Sequence, residues 1–267
     1  MPPLSESQRR FYALEKSENF RWVAKIFSKR STYILTPVNL ASLDLQLELS
    51  EIGQFAELSH GKLSPEFLWG NMDRLLQASF PLAGYDALRH SELVSVFHGT
   101  ASNLQGYISR RSNQLIISFS GTSNFRQTIG NIDARLVVAF PEGGCAIHAG
   151  FWRLYNGLRT NAFSALAEAL HQHDVHEIVF TGHSLGAVMC YLMALEAMKE
   201  NLARDALPFH SLTSIVLTIA VFGCPRAGNL ALVQHWRGVV EDYISHGFAI
   251  REYSVKCFND GQILYVT

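Results

Sequence analysis

Residues 177–195 of this chain read EIVFTGHSLGAVMCYLMAL, and this stretch decides the fold. Its first five residues favour a short buried strand, and the residues from Ala187 to Leu195 favour a helix. Between them, residues 182–186 fit the pattern G-x-S-x-G. A serine on a sharp strand-to-helix turn, flanked by small residues, is the arrangement of a nucleophile elbow. We therefore predict that Ser184 is a catalytic nucleophile; the alternative is an ordinary glycine-rich turn.

The rest of the chain alternates between strand patterns and helix patterns. Strands are predicted at 93–97, 104–109, 114–119, 214–222 and 250–258, and helices at 45–60, 64–78, 160–171 and 230–244. Strands that alternate with helices imply a largely parallel sheet with both faces covered. We expect an α/β fold with a central, mostly parallel sheet flanked by helices, and 267 residues suffice for one such domain.

A second segment that could contribute to the active site follows the predicted strand that ends at Phe119. The sequence continues there with Ser-Gly-Thr-Ser, residues 120–123. In this fold, one backbone N–H just after the nucleophile and one from a loop after an earlier strand stabilise the oxyanion of the tetrahedral intermediate. Leu185 supplies the first donor and Thr122 is the candidate for the second. The alternative for Ser-Gly-Thr-Ser is an ordinary turn.

Residues 124–144 mix polar and apolar side chains and end in Pro141 and Gly143-Gly144. An apolar segment with hinge-capable ends is typical of a movable lid. A plain strand followed by a turn explains residues 136–140 equally well.

Composition limits the function classes. A net charge of −1 argues against a general nucleic-acid binder, and 48% hydrophobic residues suit a globular protein with a sizeable core. The first 30 residues contain seven Lys or Arg residues and no continuous apolar run, and the four cysteines form no CxxC pair. We expect reduced thiols and an intracellular, cytoplasmic protein.

Residues 1–45 differ from the rest, and we expect an N-terminal extension that is helical. Residues 8–30 interleave aromatic and apolar side chains with basic ones. Such a helix could pack on the main domain, which base rates favour, or lie transiently on an anionic lipid surface. Residues 46–267 then form the main domain.

Four motifs in order carry a family resemblance: FSGT at 119–122, IHAGF at 147–151, GHSLGA at 182–187 and FGCPRAGN at 222–229. Together they resemble the class 3, fungal-type lipases of the α/β-hydrolase fold. The resemblance implies a carboxylic-ester hydrolase acting on acylglycerols, with Ser184 as nucleophile, Thr122 and Leu185 at the oxyanion hole and a lid after Thr122. It also implies that Asp260, on the loop after the last predicted strand, is the triad acid. His148 matches a family histidine in a structural position.

The triad base is the part that the sequence leaves without a candidate. In the family a histidine follows the acid, whereas no histidine follows Asp260 before Thr267. The domain is therefore expected to be truncated at its C-terminus. Two alternatives to a lipase stay open: a non-catalytic hydrolase-fold protein that binds lipid or a partner, and an esterase acting on small soluble esters. The triad chemistry needs no cofactor or metal, so none is expected.

Overall fold

A six-stranded sheet organises the chain in the computed structural model, which describes residues 41–59, 63–100, 104–120, 135–140, 142–203 and 215–255. In chain order the strands are β1 Ser91–His98, β2 Gln105–Arg111, β3 Gln114–Phe119, β4 Leu136–Phe140, β5 Cys145–His148, β6 Glu177–His183, β7 Val216–Phe222 and β8 Ala249–Val255. The main sheet has the order β1-β2-β3-β6-β7-β8. Its first two pairings are antiparallel, and the three from β3 to β8 are parallel.

Helices cover both faces of this sheet. In chain order they are α1 Leu43–Leu58, α2 Pro65–Gly70, α3 Met72–Leu75, α4 Asp86–Arg89, α5 Ala149–Gln172, α6 Leu185–Ala203 and α7 Leu230–Ser245. α1 packs on one face, mainly against β6 and β7, whereas α5, α6 and α7 lie on the other. The strand–helix alternation of the sequence therefore predicted the layers correctly.

The alternation of side chains along each strand explains the two-layered core. In β3, Ile116 joins the cluster around Ile52 and Phe55 of α1, whereas Ile117 joins the cluster on the opposite face. Both isoleucines are fully buried. A parallel strand that is covered on both faces needs such a continuous apolar run rather than a polar–apolar alternation.

Two helices differ from the sequence prediction. The helix expected at 64–78 is two short helices, α2 and α3, because Asn71 between them has φ −123° and ψ 14°. The helix expected at 160–171 begins eleven residues earlier, at Ala149. Gly150 and Gly157 lower the intrinsic helix propensity of that segment, but burial of its apolar side chains against the sheet outweighs this cost.

A small antiparallel sheet of β4 and β5 stands beside the main one. Residues 136–140 therefore form a strand, the simpler of the two interpretations of this segment. Asn229 fastens this sheet to α7: its Oδ1 accepts hydrogen bonds from the N–H groups of Ala146 and Leu232, at 3.1 and 3.0 Å. Asn229 is therefore both the N-cap of α7 and a hydrogen-bond acceptor for β5.

The predicted N-terminal extension lies largely outside the described residues, which begin at Ala41. α1 begins at Leu43, two residues before the predicted boundary, and packs on the main sheet. Among the described helices, none combines the length and hydropathy needed to cross a bilayer.

Candidate active site

Ser184 occupies the turn between β6 and α6, as the sequence predicted. Its φ angle of 56° lies in the left-handed region, which costs a non-glycine residue about 1–2 kcal/mol. Its N–H donates to the carbonyl of Phe222 at 2.9 Å, and its own carbonyl accepts from the N–H groups of Ala187 and Val188. The strained turn is therefore held from both sides. Strain of this kind at a strand-to-helix turn is the backbone geometry of a nucleophile elbow.

The two glycines of the motif are required by close backbone contacts. A Cβ at Gly182 would lie 2.7 Å from the carbonyl carbon of Gly186. A Cβ at Gly186 would lie 2.3 Å from the carbonyl oxygen of Phe119. No side chain fits at either position without moving the backbone, so the elbow is seated directly on the end of β3.

Leu185, the predicted first oxyanion donor, is the first residue of α6 and is buried. The N–H groups in the first turn of a helix have no intrahelical acceptor, and the helix dipole places partial positive charge there. This position suits an N–H that must stabilise an oxyanion beside Ser184.

The Ser184 hydroxyl is buried and has no hydrogen-bond partner within the described part of the chain. Two of the predicted site residues, Thr122 and Asp260, lie outside the described residues, as do residues 124–134 of the predicted lid. The described residues therefore bring together Ser184 and Leu185 only.

Three described histidines have other partners. His246 pairs with Asp242 one turn away on α7, at 3.4 Å, and both side chains are about half exposed. His148 precedes α5, and its ring contacts Phe151 edge-on. His176 lies 3.8 Å from Asp174 in an exposed loop. Among the described residues, no group of three or more His, Cys, Asp or Glu side chains is arranged to hold a metal ion.

Two concavities flank the elbow without including Ser184. A groove lies between α1 and the carboxyl ends of β6, β7 and β8. It is lined by His183, which precedes the nucleophile, and by Phe222, whose carbonyl accepts a hydrogen bond from the Ser184 N–H. A cavity of about 330 Å³ lies between α6 and α7. In its wall the carboxylate of Glu252 accepts hydrogen bonds from Tyr191 and Trp236 at 2.8 and 3.1 Å. Burial, and next the charge of Glu252, raise the pKa of Tyr191.

The thiol on α6 does not compete with Ser184. Cys190 lies on α6 and is fully buried, and burial raises the pKa of its thiol well above the usual value. A buried thiol that stays protonated is a poor nucleophile.

Sequence reasoning missed a polar network at the opposite, amino-terminal end of β6. Glu177, buried at the start of β6, accepts hydrogen bonds from Thr218, Gln114 and Arg251, each at 2.6 Å. These donors come from β7, β3 and β8. The network holds these four strands in register, and β6 in turn positions the elbow at its opposite end.

A serine on a strained strand-to-helix turn, carried by a mostly parallel sheet, is the arrangement of the α/β-hydrolase fold. The model of the family described as "Lipase (class 3)" matches residues 116–250, just over half of the chain. The chain belongs to the class 3 lipase family.

Curated relatives agree with this assignment. A lipase of Rhizopus oryzae is 28% identical over 140 residues, covering 52% of this chain and 34% of the relative. The "secreted mono- and diacylglycerol lipase 1" of Fusarium solani is 26% identical over 133 residues, covering 49% of this chain and 36% of the relative. The chain thus spans about a third of the length of these relatives.

A solved structure supports the fold. The crystal structure of the lipase from Rhizopus microsporus var. chinensis aligns with a TM-score of 0.61 at 22% identity, covering 80% of this chain and 67% of that one. The chain has the α/β-hydrolase fold, as the sequence predicted.

The intracellular location expected from the sequence is wrong. The relatives from Fusarium solani, Penicillium camembertii and Malassezia restricta are all named as secreted enzymes. The expectation rested on the composition of the first 30 residues and on the spacing of the cysteines, and three buried thiols, Cys145, Cys190 and Cys224, do not indicate a compartment.

Proposed function

We propose that this protein is a serine carboxylic-ester hydrolase that acts on acylglycerols. The observation that carries the proposal is the left-handed backbone of Ser184 at the turn from β6 into α6. Family membership supports the reaction class, and the printed names of the relatives, lipase and mono- and diacylglycerol lipase, support the substrate class.

The proposed chemistry is acyl transfer through Ser184. Its hydroxyl attacks the ester carbonyl and gives its proton to a general base, while the N–H of Leu185 stabilises the resulting oxyanion. The base returns this proton to the leaving alcohol, and water then hydrolyses the acyl-enzyme to the acid and free Ser184. Thr122 is proposed as the second oxyanion donor and Asp260 as the acid that orients a histidine base. The base is left unassigned, because the Ser184 hydroxyl has no hydrogen-bond partner in the described part of the chain.

The test is ester hydrolysis by the purified 267-residue chain, with Ser184→Ala as the matched control. A soluble short-chain ester and an emulsified mono-, di- or triacylglycerol are assayed in parallel. Hydrolysis that the Ala variant lacks supports the proposal, and a rate that rises above the solubility limit of the substrate favours a lipase over an esterase. Labelling of Ser184 by a fluorophosphonate probe is measured on the same samples.

A second candidate, a non-catalytic hydrolase-fold protein that binds lipid, is favoured by one observation. The Ser184 hydroxyl has no hydrogen-bond partner in the part of the chain that the structure describes, and an unactivated serine hydroxyl is a weak nucleophile. Equal rates and equal labelling for the chain and for Ser184→Ala, together with binding to lipid vesicles, would support this candidate.

A further inference from the structure

We propose that Ser59 is a positioning residue for the nucleophile elbow. It acts through the carbonyl of Phe119 and the backbone of Gly186. This inference rests on the proposed function, because it assigns Ser59 a part in the reaction of Ser184.

Ser59 lies at the C-terminal end of α1 and is 5% exposed. Its hydroxyl is 2.9 Å from the carbonyl oxygen of Phe119, sixty residues away, and 2.6 Å from that of Ala56. A hydroxyl carries a single proton, so the two carbonyl oxygens share it. That one proton joins the end of the helix to the end of β3.

The Phe119 carbonyl is also in close contact with the nucleophile elbow. A Cβ at Gly186 would come within 2.3 Å of the Phe119 oxygen, so the α-carbon of Gly186 faces this oxygen directly. Gly186 follows Leu185, whose N–H is the proposed oxyanion donor. A displacement of the Phe119 carbonyl would therefore shift the N–H of Leu185 and the position of Ser184.

Two other hydrogen bonds between α1 and the sheet share a different acceptor. Tyr107 and Ser118 both donate to the carbonyl of Phe55, at 2.5 and 3.1 Å. These bonds hold the same end of α1 but do not touch the Phe119 carbonyl. The role of Ser59 is consequently separable from a general contribution of the helix to stability.

Removal of the hydroxyl leaves the buried Phe119 carbonyl without this donor and loosens its position under Gly186. Errors of about 1 Å in the placement of catalytic groups cost on the order of 10²-fold in rate, so a displacement of a few tenths of an ångström is expected to cost about 10-fold. The loss should fall on kcat rather than on KM, since the contact fixes the reacting groups rather than a substrate surface.

The experiment compares Ser59→Ala with Tyr107→Phe, a matched loss of one buried hydrogen bond between α1 and the sheet. Active sites are titrated, so kcat refers only to folded, reactive molecules. We expect kcat to fall about 10-fold in Ser59→Ala, to stay within about 2-fold of the unsubstituted chain in Tyr107→Phe, and to recover in Ser59→Thr, which keeps the hydroxyl. Equal kcat values for Ser59→Ala and Tyr107→Phe would overturn the inference.

A second measurement keeps the inference testable if the chain hydrolyses no ester. Backbone hydrogen exchange of residues 184–187 is measured in the same variants. Faster exchange in Ser59→Ala than in Tyr107→Phe supports the positioning role even where the proposed activity fails. Equal exchange in both variants contradicts it.

Discussion

The guanidinium group of Arg251 lies 2.6 Å from the carboxylate of Glu177, a contact that joins β8 to β6 across the strand between them. The side chain of Glu177 is 11% exposed, whereas that of Arg251 is 40% exposed. Thr218, on the intervening β7, donates to the same carboxylate oxygen. This arrangement holds the last described strand in register from the end of the sheet opposite the elbow.

Substitution of Arg251 should therefore destabilise the fold without touching the site. Arg251→Ala leaves the Glu177 carboxylate without its cationic partner, and we expect a loss of about 2–3 kcal/mol in the free energy of unfolding, because one side of the pair is partly solvated. Urea denaturation measures this loss. The control is Arg89→Ala, whose exposed pair with Asp86 spans 3.8 Å and should contribute about 0.5 kcal/mol or less. Similar losses in both variants would contradict the role of the network.

Gly186→Ala should damage both stability and reaction. The new Cβ would meet the Phe119 carbonyl oxygen at 2.3 Å, so the elbow must shift. We expect a loss of about 2 kcal/mol in stability and of roughly 10²-fold in Ser184-dependent hydrolysis. Gly238→Ala is the matched control, because it lies within α7 with nothing within 4 Å of a new Cβ, and it should stabilise by about 0.8 kcal/mol. Thermal unfolding and ester hydrolysis are compared in both variants, and an active, stable Gly186→Ala would refute the close contact.

Ser184→Gly should stabilise the protein while it removes the nucleophile. Glycine adopts a φ of 56° without the penalty that serine incurs, so we expect a gain of about 1 kcal/mol. Ser184→Ala keeps the penalty and serves as the control. A melting temperature for Ser184→Gly that does not exceed that of Ser184→Ala would argue against a strained elbow.

Alkaline pH should weaken one contact between α1 and the segment before β1. The Tyr85 hydroxyl donates to Glu57 at 2.5 Å. Burial, then this bond and then the negative charge of Glu57 raise the pKa of Tyr85 from 10.0 to about 12. The folded state thus favours protonated Tyr85, and this contribution to stability is complete below pH 10 and is lost as the pH rises from 10 to about 12.

The measurement is the difference in unfolding free energy between the unsubstituted chain and Tyr85→Phe, at about pH 9 and about pH 11.5. Tyrosines common to both proteins cancel in this difference. We expect it to shrink at the higher pH; a difference independent of pH would exclude the linkage.

The sequence predicted the layers of the fold and the elbow because these follow from local patterns. The run from Glu177 to Leu195 carries its strand, turn and helix signals within nineteen residues, and the structure has β6, a turn at Ser184 and α6 at those positions. The role of Ser184 as nucleophile stays a prediction. Thr122 and Asp260 stay predictions, since they lie outside the described residues.

The missed features depend on residues that are far apart in the chain. The Ser59 hydroxyl meets a carbonyl sixty residues away, and Glu177 meets Arg251 at a separation of seventy-four. A serine after a helix and an arginine in a strand have no local signal that distinguishes them from surface residues. Only the packing of α1 and the register of β8 bring these partners together.

The packing of α1 also shows that the folding unit begins earlier in the chain than the segment that matches the family model. The family match begins at Ile116, yet Ile116, Val179 and Ala220 are buried in one cluster with the apolar side chains of α1, and β3 pairs with a strand that precedes the match. A polypeptide trimmed to residues 116–250 would carry a bare apolar sheet face and an unprotected strand edge. The segment that matches the family model therefore depends on upstream sequence for its solubility, and a polypeptide that began at the start of that segment would aggregate instead of folding alone.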